Sequence, residues 1–215
     1  MTSPAHVPAP TGLPTITFYV DFVSPYAWLA FERLPQVLEG LSYRLSYRPV
    51  LLGALLKQHG NPGPAGIAPK RDWTYRHVTW LAHSLGVGLQ MPARHPFNPL
   101  PLLRQALACS RDGSVNRFVA GTLLRHVWQG GHDALDAQRL TDLAAALEAQ
   151  LQPDDADGAR AKALLRSNTD AAAVKRRHGD LEAFALFAQS VGCGNTAVVK
   201  EKFCCLRTSI RKPRL

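Results

Sequence analysis

Ser24 is the side chain in this sequence whose position best suits polar chemistry. It follows a β-branched and aromatic run, 15–20, that is typical of a buried strand, and it precedes Pro25, which favours the first position of a helix. A hydroxyl at such a turn lies beside unpaired backbone N–H groups and the positive end of the helix dipole, where anions are stabilised. Ser24 therefore either helps to hold a negatively charged group or only caps the helix.

Other chemistry at this turn is poorly supported. No G-x-S-x-G sequence encloses Ser24, so activation as an acyl nucleophile is not indicated. Thiol–disulfide exchange needs cysteines where Ser24 and Ala27 stand. The eight histidines and four cysteines show no ligand spacing, and Cys204-Cys205 lacks the two-residue gap of a C-x-x-C pair, so we expect no metal site.

The elements around Ser24 form one βαβ unit in the prediction. Apolar residues recur at helical spacing after Pro25, and Gly40 is placed to end that helix. Apolar and polar residues then alternate over 41–48, as in a strand, before Pro49. Residues 15–49 are therefore predicted to form two strands joined by a crossover helix.

The sequence after residue 50 is helical in pattern. Helices are predicted over 51–59, 73–85, 102–109, 114–128 and 141–151, with Asp136 and Thr141 as plausible caps, and a further helix from Pro153 through Leu165. A turn-rich loop at 60–64 and a proline-rich loop at 92–101 interrupt them. A long helical segment is thus expected to follow the βαβ unit.

Composition and charge limit the partners. Apolar residues make up 46 % of the 215 residues and charged residues 19 %, which excludes a disordered chain. The net charge is +9, of which residues 175–215 carry +6, and no aromatic and basic side chains interleave as on a base-stacking surface. We expect no nucleic-acid partner. No apolar run reaches the about 18 residues of a membrane span, so no membrane partner is expected either.

Cysteine usage and the first residues indicate the setting of the protein. Four cysteines in a chain of this length are no disulfide framework, which predicts a reducing, cytoplasmic environment. Residues 1–14 are rich in proline and alanine and lack the pattern of a signal peptide, so they are expected to form a flexible leader.

Three sequence blocks resemble a known family. Residues 21–30, DFVSPYAWLA, resemble the N-terminal signature of the 2-hydroxychromene-2-carboxylate isomerases and the kappa-class glutathione transferases, in the DsbA-like thioredoxin superfamily. Residues 48–57, RPVLLGALLK, with the following Gly60-Asn61 and Pro64, are similar to the family segment that leads to a glutathione-binding asparagine, and Pro69-Lys70 is the third block. The resemblance covers roughly residues 15–174.

The resemblance implies an α/β thioredoxin-like fold with a large all-helical insertion. Residues 15–50 with 168–215 would form the thioredoxin-like domain, and 51–167 the helical insertion domain. The closing half departs from the family after residue 174, because the superfamily has a strand there that a cis-proline introduces. This chain has no proline between Pro153 and Pro213. Our hypothesis is that the reading frame shifts near residue 174 or that the terminus is otherwise unrelated.

The resemblance also implies a cofactor and a reaction. In that family the serine at the Ser24 position hydrogen-bonds the sulfur of glutathione and favours the thiolate, and Pro25 and Tyr26 belong to the same cofactor-binding turn. A free thiol has a pKa of about 8.5, and lowering it by about two units is worth roughly 2.7 kcal/mol. The implied reaction is the cis–trans isomerisation of a small aromatic keto acid by reversible thiolate addition, in aromatic-compound catabolism.

Three further residues correspond to family positions. Asn61 matches the glutathione-contacting asparagine, although Asn also suits a turn before a proline. Lys57 matches a lysine that meets the substrate carboxylate, or is a solvated residue on a helix face, and Lys70 lies where a second anion contact is expected. His95 lies in the proline-rich loop at a place that could face the substrate, but loop histidines are commonly just exposed, so it is assigned no role.

Two other functions stay open at this point. A kappa-like glutathione transferase would use the same serine, so sequence separates it poorly from an isomerase. The other function, from a different class, is that of a non-catalytic remnant with a disrupted C-terminus. Homodimers are common in the family, so self-association is compatible with the resemblance, although the sequence shows no interface.

Overall fold

A parallel strand pair begins the fold. The computed structural model describes residues 12–110 and 112–151, together with 159, 162 and 163. Strand β1 (Thr15–Val20) pairs in parallel with β2 (Arg44–Pro49), and helix α1 (Pro25–Val37) connects them. The predicted βαβ unit is therefore confirmed.

Helices make up most of the remaining described chain. They are α2 (Leu52–Gln58), a 3-10 turn (Pro64–Gly66), α3 (Ala68–Ser84), α4 (Leu100–Ala108), α5 (Arg117–Trp128) and α6 (Ala137–Gln150). Residues 159, 162 and 163 are also helical. The other residues of the helix predicted from Pro153, and the whole segment 168–215, lie outside the described residues. No helix that is described is long and apolar enough to cross a membrane.

Prolines explain where two helices begin earlier than predicted. Helix α3 starts at Ala68 instead of residue 73, with Pro69 in its first turn, and α4 starts at Leu100 with Pro101 in its first turn. The first turn of a helix does not need the N–H that proline lacks, and the fixed φ of proline suits it. The predicted helices were too short because Pro101 was assigned to the loop at 92–101 and the helix predicted from residue 73 left Pro69 out.

Two other boundaries were set by side-chain caps. Asn116 caps α5 by accepting a hydrogen bond from the Val119 amide at 2.9 Å, so this helix starts later than residue 114. Asp136 caps α6 in the same way, as predicted, by accepting from the Arg139 amide at 2.9 Å. The alternative cap, Thr141, was wrong, because it lies inside α6.

A single apolar core joins the βαβ unit to the helices. Trp28 on α1 is only 1 % exposed, and its indole N–H donates to the carbonyl of Gly88 at 2.8 Å. The same buried cluster contains side chains from β1, α1, α4 and α5: Phe18, Val20, Phe31, Leu102, Leu103, Leu123, Leu124 and Trp128. The α1 helix is therefore fixed rigidly, and with it the turn that precedes it.

Candidate functional site

Ser24 occupies the N-cap position of α1 without capping it. Its backbone is extended, with φ −84° and ψ 115°, and its hydroxyl makes no capping hydrogen bond. The alternative of a hydroxyl cap was wrong, because the Ala27 amide, one of the two usual donors to an N-cap side chain, donates to the Ser24 carbonyl instead, at 3.0 Å. The half-buried hydroxyl therefore lies at the positive end of α1, whose first turn carries no acidic side chain.

Asp21 organises the turn between β1 and α1. Its Oδ1 accepts hydrogen bonds from the amides of Val23 at 2.8 Å and Ser24 at 3.0 Å. Its Oδ2 accepts from the amide of Leu52, the first residue of α2, at 3.1 Å. One carboxylate thus holds the start of α1 and the start of α2 together, a role that the sequence analysis did not assign to it.

The Asp21 carboxylate is buried, with 5 % of the residue exposed. Burial disfavours its charged form and raises its pKa from 3.8 to about 6, although the hydrogen bonds from Leu52, Val23 and Ser24 act in the opposite direction. Desolvation therefore outweighs three backbone donors at this site.

His95 reaches the same turn from the loop between α3 and α4. Its Nε2 lies 2.7 Å from the carbonyl oxygen of Val23, and its Nδ1 lies 2.7 Å from the hydroxyl of Tyr75 on α3. The His95–Pro96 peptide bond is cis. His95 is half-buried, and burial lowers its pKa. No role was predicted for His95, which contacts Val23, the residue directly before Ser24.

Tyr26 contacts a row of aromatic rings on α3, formed by Trp73, His77 and Trp80. Its hydroxyl lies 2.7 Å from Nδ1 of His77, and burial raises the pKa of the phenol. The His77 ring stacks on Trp73, with centroids 4.7 Å apart, and on Trp80, with centroids 6.0 Å apart. Trp73 is 61 % exposed. The turn that carries Ser24 is therefore bordered by α3 on the side of Tyr26.

Asn61 lies in the loop between α2 and α3. Its side-chain Oδ1 accepts a hydrogen bond from the Gly63 amide at 2.8 Å, and its backbone amide donates to the Leu56 carbonyl at 2.9 Å. The residue is exposed, and its side-chain oxygen is used within a structured turn. The turn role considered for Asn61 is therefore present, and its proposed cofactor contact stays a prediction.

The Asn61 loop depends on a glycine conformation. Gly63 has φ 71° and ψ 166°, a region that residues with a Cβ almost never adopt, and an added Cβ would lie 2.9 Å from Cδ1 of Leu56. We expect Gly63→Ala to lower the free energy of unfolding by about 2 kcal/mol in urea denaturation. Gly60→Ala is the matched control, because φ is +60° there and the added Cβ meets open space. Equal losses in the two variants would contradict the expected contribution of the Leu56 contact and of the Gly63 conformation.

Lys57 and Lys70 are exposed and flank this loop. Lys57 lies in the last turn of α2 and Lys70 in the first turn of α3. Within the described residues, neither side chain bonds to Ser24. The structure thus has Ser24, Pro25 and Tyr26 in sequence at the start of α1, and it has Lys57, Asn61 and Lys70 along the connection from α2 to α3.

Metal and thiol chemistry find little support in the part of the chain that is described. No group of three or more His, Cys, Asp or Glu side chains there could hold a metal ion. Cys109 is the free cysteine of the described residues, and burial raises its pKa to about 12, so it stays protonated and inert.

The similarity to known proteins agrees with this geometry. Residues 15–180 match the DSBA-like thioredoxin domain. The chain is 27 % identical over 161 residues to human glutathione S-transferase kappa 1, which covers 67 % of this chain and 66 % of the human protein. It is 28 % identical over 128 residues to the 2-hydroxychromene-2-carboxylate isomerase of Sphingobium xenophagum, which covers 59 % of this chain and 64 % of that protein. The chain thus spans just under two thirds of these curated relatives.

A solved structure shares the fold. A 2-hydroxychromene-2-carboxylate isomerase superposes with a TM-score of 0.59 at 21 % identity, covering 80 % of this chain and 79 % of that one. This likeness concerns the fold alone, and it bears out the thioredoxin-like fold expected from the sequence. The chain belongs to the DsbA-like thioredoxin domain family, and its resemblance to the 2-hydroxychromene-2-carboxylate isomerases and kappa-class glutathione transferases is confirmed.

Proposed function

We propose that this protein is a glutathione-dependent cis–trans isomerase of the 2-hydroxychromene-2-carboxylate isomerase type. The observation that carries the proposal is the Ser24 hydroxyl, which stands at the N-terminus of a 13-residue helix and is not used to cap it. A donor in this position, with the dipole of α1 behind it, favours a sulfur in its thiolate form. The named relatives support both the isomerase and the kappa-transferase readings.

The chain's own groups fit a bound tripeptide thiol. Ser24 Oγ–H would donate to the sulfur, and Pro25 and Tyr26 would contact the cofactor from the same turn. Asn61, on the neighbouring loop, would use its amide NH2 group, because its Oδ1 is already occupied by the Gly63 amide. Glutathione, when bound, would supply a nucleophilic thiolate for reversible addition to the conjugated double bond of the substrate. Lys57 and Lys70 supply exposed positive charge for the carboxylate of an aromatic keto acid.

Removing the Ser24 hydroxyl tests this proposal. We expect Ser24→Ala to raise the pKa of the bound glutathione thiol by about one unit, because the hydroxyl donor is lost while the helix dipole remains. The measurement is the ultraviolet absorbance of the thiolate against pH, with the dissociation constant of glutathione determined in parallel. Ser84→Ala is the matched control, since Ser84 is an exposed serine at the far end of α3.

Two outcomes would overturn the proposal. One is a wild-type protein that is well folded but does not bind glutathione, which favours a non-catalytic remnant. The other is a thiol pKa in Ser24→Ala equal to that of Ser84→Ala. Isomerisation of a chromene carboxylate and conjugation of chlorodinitrobenzene, assayed side by side, then separate the isomerase from a kappa-like transferase.

A further inference from the structure

His95 fixes one end of the peptide group that carries Ser24. The carbonyl oxygen of Val23 and the amide of Ser24 belong to the same peptide plane. The oxygen lies 2.7 Å from His95 Nε2, and the amide donates to Asp21 Oδ1 at 3.0 Å. A planar peptide bonded at both ends cannot rotate about its flanking single bonds without breaking a hydrogen bond. The plane immediately before the Ser24 Cα is therefore fixed from two directions.

The hydrogen bonds define the state of the His95 ring. A carbonyl oxygen only accepts, so Nε2 must carry the proton. In the neutral ring Nδ1 then accepts the Tyr75 hydroxyl proton at 2.7 Å, and it is the nearer of two acceptors, since the His95 carbonyl oxygen lies 3.1 Å from the same hydroxyl. Burial lowers the pKa of His95, which favours this neutral form near pH 7. The ring is thus a donor to the Ser24 turn and an acceptor from α3.

Aromatic neighbours hold the same ring in place. The centroid of His95 lies 5.4 Å from Tyr75, 6.2 Å from Phe97 and 5.5 Å from Trp128. Trp128 is fully buried at the end of α5. The position of the Nε2–H donor is therefore set by the helical part of the chain, 72 residues away in sequence from its acceptor.

We propose that His95 is a positioning residue of the Ser24 site, which orients the Ser24 hydroxyl through its hydrogen bond to the Val23 carbonyl. This inference rests on the proposed function, in which that hydroxyl donates to a thiolate. The direction of the Ser24 side chain follows from the peptide plane before it. Loss of the Nε2–H donor frees one end of that plane and moves the hydroxyl away from the position that favours the thiolate.

Three variants test the proposal. His95→Phe keeps a ring of similar size and removes the donor, and His95→Gln replaces the ring by an amide that can again donate. His126→Phe is the matched control, because His126 is also half-buried and its Nε2 lies 3.0 Å from a backbone carbonyl, that of Ala134, within the helical part. If His95→Phe acted only by disturbing the packing of a half-buried ring, His126→Phe should have the same effect on the bound thiol.

The first readout is the titration of the bound glutathione thiol. We expect His95→Phe to raise the thiol pKa by about half to one unit, which from a starting value of about 6.5 lowers the thiolate fraction at pH 7 about 1.5- to threefold. His95→Gln should restore most of that fraction, and His126→Phe should not change it. A thiol pKa in His95→Phe equal to that in His126→Phe would overturn the proposal, as would an equal loss in the Phe and Gln variants.

The second readout needs no glutathione and keeps the two proposals apart. Hydrogen exchange of the Ser24 amide should be about tenfold faster in His95→Phe than in wild type, because the peptide plane is held at one end only. It should be unchanged in His126→Phe. If wild type does not bind glutathione, the proposed function fails while this measurement still decides the role of His95; unchanged exchange in His95→Phe would overturn the positioning role.

Discussion

Replacing Asp21 by alanine is expected to lower the free energy of unfolding by about 3 kcal/mol. The variant leaves the amides of Val23, Ser24 and Leu52 without their acceptor. Each buried donor that loses its partner costs about 1–3 kcal/mol. The lower end of the summed range, about 3 kcal/mol, is expected because the variant also removes the desolvation cost of the buried carboxylate.

Urea denaturation of Asp21→Ala and of a matched surface variant measures this effect. Asp112 also accepts the amide of the residue two positions ahead, Ser114, but it is exposed. Asp112→Ala is therefore expected to change stability by less than about 1 kcal/mol. Similar losses in the two variants would mean that the Asp21 bonds at the starts of α1 and α2 contribute no more than a surface turn.

Local sequence signals were sufficient for the βαβ unit and for the place of Ser24. The β-branched run of β1 and the Ser-Pro pair at the start of α1 each act within a few residues, so the neighbouring sequence carries the information. The same pattern could not show that the Ser24 hydroxyl is not a cap. That outcome depends on the Ala27 amide, a usual donor to an N-cap side chain, bonding to the Ser24 backbone carbonyl instead.

The contacts that shape the turn join residues far apart in the chain. Asp21 stands in the recognised sequence block, and its hydrogen bonds to Val23 and Ser24 are of a local kind that Asp commonly forms. Its bond to the Leu52 amide spans 31 residues. The bond to Val23 from His95, which lies in the proline-rich loop, spans 72 residues. Neither leaves a periodic or compositional trace, so sequence reasoning could name the residues but not their roles.

The raised pKa of Asp21 predicts an unusual dependence of stability on pH. Because the folded-state pKa of about 6 lies above 3.8, the folded protein binds more protons than the unfolded chain between these values. The contribution of Asp21 to the free energy of unfolding therefore increases as the pH falls from 7 towards 4, by about 3 kcal/mol in full and by about 1 kcal/mol between pH 7 and pH 5. Carboxylates such as Asp112 and Asp133, whose pKa values are held below the usual range, act in the opposite direction.

Asp21→Asn isolates this contribution, because the amide does not titrate and every other group is shared with wild type. The difference in unfolding free energy between the two proteins, measured in urea from pH 7 to pH 5, should move in favour of wild type by about 1 kcal/mol. Desolvation raises the pKa of Asp21 and the three amide donors lower it, so the sign of the measured slope decides which effect is larger. A difference that moves against wild type as the pH falls would show that the hydrogen bonds from Val23, Ser24 and Leu52 outweigh burial. In that case the carboxylate stabilises the Ser24 turn through its charge rather than in spite of it.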